Sequence, residues 1–95
     1  MSRDLERWRA DIDHVDRVLV RLLNLRARLA LRTAVAKQRE GAPLRDPWRE
    51  GEVLKNVEGA NQGPLDGPAV LAVFQTIIRE SCRLEEGSTP CPFRS

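Results

Sequence analysis

The chain has 95 residues, with 16 Lys and Arg against 14 Asp and Glu, and a net charge of +2. That balance excludes recruitment to nucleic acid or acidic membranes by bulk charge alone, and aromatics at 4% exclude a base-stacking platform. With 41% apolar and 32% charged residues there is material for one core, so one compact domain is expected rather than a disordered chain.

Residues 1–40 contain no proline and no glycine. Apolar side chains recur at Leu5, Trp8, Ile12, Val15, Leu19, Leu22, Leu29 and Ala36. Steps of three and four are the period of a helix with one buried stripe. The pattern predicts a single helix from about residue 4 to about residue 40, stopped by Gly41 with Pro43 beyond it. A second helix is predicted from about residue 47, with Asp46 as N-cap, Pro47 at the first helical position, and Val53, Leu54 and Val57 on its apolar face. A loop rich in helix breakers follows over 59–67. Asp66 can cap a third helix that tolerates Pro68 in its first turn and buries Leu71, Phe74, Ile77, Ile78 and Leu84. Residues 87–95, with two prolines and a glycine, are expected to form a disordered tail, leaving 1–86 as the domain. No strand pattern occurs, so the fold class expected is all-α with three helices.

Arg17, Arg21 and Arg26 interrupt the apolar runs, and none approaches the ~20 residues of a membrane span. The first residues lack the apolar core of a signal peptide, which points to a cytoplasmic protein. Cys82 and Cys91 define neither a disulfide framework nor a metal site, and His14 does not complete a zinc shell with them. No metal site is expected.

A helix of some 37 residues is a rod of about 55 Å. A compact chain of this size is roughly 30–35 Å across. The rod must protrude, yet its apolar stripe runs from end to end. The simplest cover is a second copy of the chain, so a homodimer of paired long helices is expected, with stability that depends on concentration.

With Leu5 at heptad position a, Ile12 and Leu19 also fall at a, and so does Arg26. A buried guanidinium without an anion costs several kcal/mol, so Arg26 needs an acidic neighbour or an anionic ligand. Arg9 and Lys37 lie at e, on the edge of the same seam. Arg9 and Arg26 are 17 residues apart, about 25 Å along one helix. One small ligand reaches both only if Arg9 comes from an antiparallel partner. On the second helix, Arg49 and Glu50 share the face of Val53 and Leu54; on the third, Ser81 and Glu85 continue the series of Leu71, Phe74 and Ile78. Each helix thus carries polar groups on its core side, an inventory that suits a small dianion enclosed among helices.

Taken singly, each residue has a plainer reading. Arg26 pairs with a glutamate of a partner chain, Arg9 and Lys37 snorkel, Arg49 and Glu50 form a local ion pair, Asp46 only caps, Ser81 fills a helix, and Glu85 lies at a frayed end. His14 and Trp48 go to surface and packing. The coincidence of the groups favours a site.

The order and spacing of several motifs resemble the all-helical class of chorismate mutase over residues 5–86. The match is carried by Arg9 with Ile12 and Asp16, by Leu22, Leu23, Asn24, Leu25 and Arg26, and by Lys37. Most specific is the run Arg45, Asp46, Pro47, Trp48, Arg49, Glu50, followed on the third helix by Phe74 through Ile78, Arg79, Glu80 and Ser81. The resemblance implies an intertwined homodimer with two equivalent sites. It also implies conversion of chorismate to prephenate by a cofactor-free [3,3] sigmatropic rearrangement.

By position, the resemblance gives Arg26 a substrate carboxylate and brings Arg9 from the other chain to a carboxylate. Lys37 would bind a carboxylate and the ether oxygen. Glu50 would accept the ring hydroxyl with help from the backbone at Asp46. Arg49 would add positive potential, Ser81 would contact the ring carboxylate, and Glu85 would complete the pair on the ether oxygen. The best-known bacterial pattern has glutamine where this chain has Glu85, whereas fungal members carry glutamate. Two alternatives stand beside this reading: an isochorismate pyruvate lyase of the same fold, and a non-catalytic helical dimer that binds a protein or RNA.

Overall fold

The computed structural model describes residues 3–88. They form three helices: α1 (Arg3–Glu40), α2 (Pro47–Ala60) and α3 (Gly67–Ser88). α3 packs against both α1 and α2. The remaining residues 89–95 of the expected tail lie outside the described residues, and α3 continues through Gly87, where that tail was expected to begin.

The helix ends are set by the residues that predicted them. Gly41 adopts φ 71°, a left-handed conformation open to glycine at no steric cost. This lets the Gly41 amide donate to the Gln38 carbonyl (3.3 Å) and the Ala42 amide to the Lys37 carbonyl (2.9 Å), closing α1 in a Schellman motif. Asp46 caps α2 by accepting the Arg49 amide at 3.1 Å, with Pro47 in the first turn. Asp66 caps α3 by accepting the Ala69 amide at 2.8 Å. The loop after α2 is shorter than expected, because Gly59 stays helical. The stop comes from Asn61, whose amide donates to the Val57 and Glu58 carbonyls.

The molecule is elongated, 61 × 25 × 19 Å with a radius of gyration of 17.4 Å, against about 12 Å for a compact chain of this length. The excess is α1, whose 38 residues span about 57 Å. The stripe from Leu5 through Trp8, Ile12, Val15, Leu19 and Leu22 to Leu29 is 49–58% exposed throughout.

Within the chain, α3 packs on a different strip of α1. The less exposed residues there are Ala27, Ala30, Leu31 and the fully buried Ala34. Small side chains at helical spacing let two backbones approach closely, but they add little to a hydrophobic pattern. Hydrophobic periodicity therefore marks the stripe and not this seam. On α3 the less exposed residues are Leu71, Phe74, Ile77 and the buried Ile78. The expected core residue Leu84 is 39% exposed; Ser81, Cys82 and Glu85 take the inward positions at this end. No helix among the described residues is long and apolar enough to cross a membrane.

Candidate active site

The three helices enclose a cleft of about 250 Å³ beside the end of α1. α1 contributes Arg26, Leu29, Ala30, Thr33 and Lys37. The 41–46 connection and α2 contribute Leu44, Asp46, Arg49, Glu50 and Val53. α3 contributes Ile78, Ser81, Cys82 and Glu85. Seven of the eight residues expected to form a site therefore line one cavity: Arg26, Lys37, Asp46, Arg49, Glu50, Ser81 and Glu85.

Arg9 is the exception. It lies on the exposed first half of α1, about 25 Å along the helix from Arg26, and its own chain does not bring it to the cleft.

Each cation is held by a specific acceptor. Arg26 Nη1 donates to Ser81 Oγ at 2.9 Å, tying α1 to α3 across the floor of the cleft. The guanidinium has five N–H donors, so this bond leaves others for a ligand. Lys37 Nζ donates to the Leu44 carbonyl at 2.9 Å and draws the connection back over the end of α1. The simple local pairing of Arg49 with Glu50 does not occur. Arg49 Nη1 lies 3.5 Å from Glu52, while Glu50 is bound by Arg45, with Nε to Oε2 at 3.1 Å and Nη2 to Oε1 at 3.3 Å.

Glu85 is buried at 8% exposure. Burial pushes its carboxyl pKa above the ordinary value, because a low-dielectric surround disfavours the charged form. Lys37 and Arg26 oppose that shift, and Glu50 and Glu86 add to it. Cys82, with Sγ 4.0 Å from Glu50 Oε2, also has its pKa raised by burial and stays a neutral thiol.

Thr33, Leu44 and Cys82 were not among the expected site residues. Thr33 occupies the a position after Arg26, so extending the same heptad argument by one step reaches it. Leu44 contributes a backbone carbonyl, for which the residue type carries no signal.

Three cations, three carboxyls and two hydroxyls converge from three helices and the 41–46 connection on a cavity of small-molecule size. The arrangement defines an all-helical protein with a charged cleft framed by its three helices. Residues 8–86 match the family described as chorismate mutase type II, and the chain belongs to that family.

A 4-amino-4-deoxychorismate mutase from Streptomyces venezuelae is 33% identical over 87 residues, covering 90% of this chain and 84% of that protein. A bifunctional chorismate mutase/prephenate dehydratase from Aquifex aeolicus is 31% identical over 87 residues, covering 87% of this chain; the match spans only 24% of that relative. The structure of a chorismate mutase (form II) from Thermus thermophilus superposes with a TM-score of 0.87 at 31% identity, covering 92% of this chain and 99% of that one.

Proposed function

We propose that the chain is a chorismate mutase, converting chorismate to prephenate without a cofactor. The observation that carries the reading is the convergence of Arg26, Lys37, Arg49, Glu50, Ser81 and Glu85 on one cleft. A [3,3] rearrangement needs no nucleophile, only a folded conformer of the substrate and stabilisation of charge on the breaking ether bond. Arg26 grips one carboxylate through the donors that Ser81 leaves free, and Ser81 meets the ring carboxylate. Arg49 adds positive potential. Glu50 and the backbone at Asp46 take the ring hydroxyl. Lys37 and Glu85 meet at the ether oxygen.

The functional unit is a homodimer in which Arg9 of a second copy completes each site. A compact monomer of this mass exposes about 5,500 Å², whereas this chain exposes 8057 Å². The difference is of the size that obligate interfaces bury. A dimer that merely docked proteins or RNA would have no use for cations turned inward on a small cleft. The direct test incubates the purified protein with chorismate and follows loss of its ultraviolet absorbance, with prephenate identified as product. Release of pyruvate from isochorismate, with chorismate untouched, would favour a lyase instead.

The proposed donor role of Glu85 gives the direction of the pH profile, and its raised pKa moves the decline upward. Only its protonated form donates to the ether oxygen, so activity falls as pH rises through that pKa. The decline sits at higher pH than an ordinary glutamate would give. The same group favours the folded state below the ordinary carboxylate pKa and withdraws that contribution as pH rises through the raised value. Glu85→Gln supplies a donor at every pH and should be active without the alkaline decline, while Glu85→Ala should be poor throughout. A flat wild-type profile unchanged by Glu85→Gln would remove Glu85 from the site.

A further inference from the structure

Glu50 stands in a wall between two cavities. One is the cleft described above. The other, of about 360 Å³, lies across the α2–α3 seam and is lined by Arg45, Arg79 and Arg83. Glu50 lines both, whereas Arg45 lines only the outer one. Both Glu50 oxygens accept from Arg45, at 3.1 and 3.3 Å, and Cys82 Sγ lies at 4.0 Å. Arg45 therefore does not face a molecule in the cleft. It acts on such a molecule through Glu50.

We propose that Arg45 is a specificity-determining positioning residue: by pairing with Glu50 from outside the cleft, it tunes that carboxylate for a neutral hydroxyl and against an ammonium on the substrate ring. The proposal rests on the reading of Glu50 as the acceptor of the ring substituent. A carboxylate paired with a guanidinium keeps lone pairs with which to accept an O–H. A hydroxyl brings no charge, so the pairing costs it little. An ammonium gains most from an uncompensated carboxylate and is repelled by the guanidinium behind it. At about 6 Å, with an effective dielectric of about 40 for this half-solvated position, that repulsion is worth roughly tenfold in affinity. The relatives of this chain divide by name on this substituent: some are called chorismate mutases, others 4-amino-4-deoxychorismate mutases.

The test measures kcat/KM of the full-length protein for chorismate and for 4-amino-4-deoxychorismate. The unaltered protein should prefer the hydroxyl substrate. Arg45→Gln should move the ratio toward the amino substrate on the order of tenfold, and Arg45→Lys, which keeps the charge, should largely hold it. In a Glu50→Gln background, adding Arg45→Gln should still move the ratio toward the amino substrate, because the repulsion between guanidinium and ammonium does not require the carboxylate. Both substrates report on the same folded molecules, so partial loss of fold in a variant cancels from the ratio. A ratio unmoved by Arg45→Gln, or equal losses with both substrates, overturns the role of Arg45 alone. Turnover of neither substrate by the unaltered protein overturns the reading of the site and the role with it.

Discussion

Lys37→Ala should lower kcat by about 10²–10³-fold while changing KM far less. Lys37 projects from the last turn of α1 into the cleft, where the Leu44 carbonyl already accepts from its Nζ at 2.9 Å. A rigidly placed cation stabilises charge as it develops without having to reorganise. Negative charge on the ether oxygen of chorismate is small in the ground state and grows toward the transition state. An interaction of that kind appears in kcat, because it is stronger in the transition state than in the bound substrate. The check is a steady-state comparison of kcat and KM, with circular dichroism to establish that the helices persist. A rise in KM with kcat unchanged would make Lys37 a simple anchor for a substrate carboxylate.

Two inactive variants, Arg9→Ala and Arg26→Ala, should regain activity when mixed. Along α1 the two arginines are too far apart to meet on one small molecule. If Arg9 of each copy serves the partner's cleft, a mixed dimer carries one site with both arginines and one with neither. Random exchange between equal amounts makes about half the dimers mixed, so about a quarter of all sites are restored. Native mass spectrometry would show that exchange has occurred, and chorismate turnover would show recovery. Mixed dimers without recovered activity would mean that Arg9 plays no part in the partner's site.

Much of this molecule could be read before its structure. Gly41, Asp46 with Pro47, and Asp66 mark helix ends because backbone conformation and capping depend on residue type, and each sits where the pattern put it. Arg26, Lys37, Glu50, Ser81 and Glu85 stand out in the sequence as polar groups at core-facing positions, where charge is costly, and the structure brings them to one cleft. What could not be read depends on tertiary geometry. Ala27, Ala30 and Ala34 make the α1–α3 seam through smallness, which carries no periodic hydrophobic signal. The partner of Glu50 is Arg45 rather than its neighbour Arg49, because the connection before α2 turns Arg45 back toward Glu50. The Leu44 carbonyl that holds Lys37 belongs to the backbone, which every residue possesses.

Each of the three helices also has one end beside the cleft, and the polarity of those ends differs. α1 arrives with its carbonyl end, bearing Lys37 in the last turn; α2 leaves with its amide end, bearing Glu50 in the first turn; α3 arrives with its carbonyl end, bearing Glu85. Aligned peptide dipoles place roughly half a negative charge at a carbonyl end and half a positive charge at an amide end. The end of α1 attracts the positive charge of Lys37, and the end of α2 attracts the negative charge of Glu50. Each attraction is worth about 0.3–1 kcal/mol. The end of α3 repels a negative charge on Glu85, working in the same direction as burial. Two carboxyl groups in one small cleft are thus steered to opposite duties by the direction in which their helices run. In the proposed site this favours Glu50 as an acceptor and Glu85 as a donor, in the same direction as Arg45 beside the one and burial around the other.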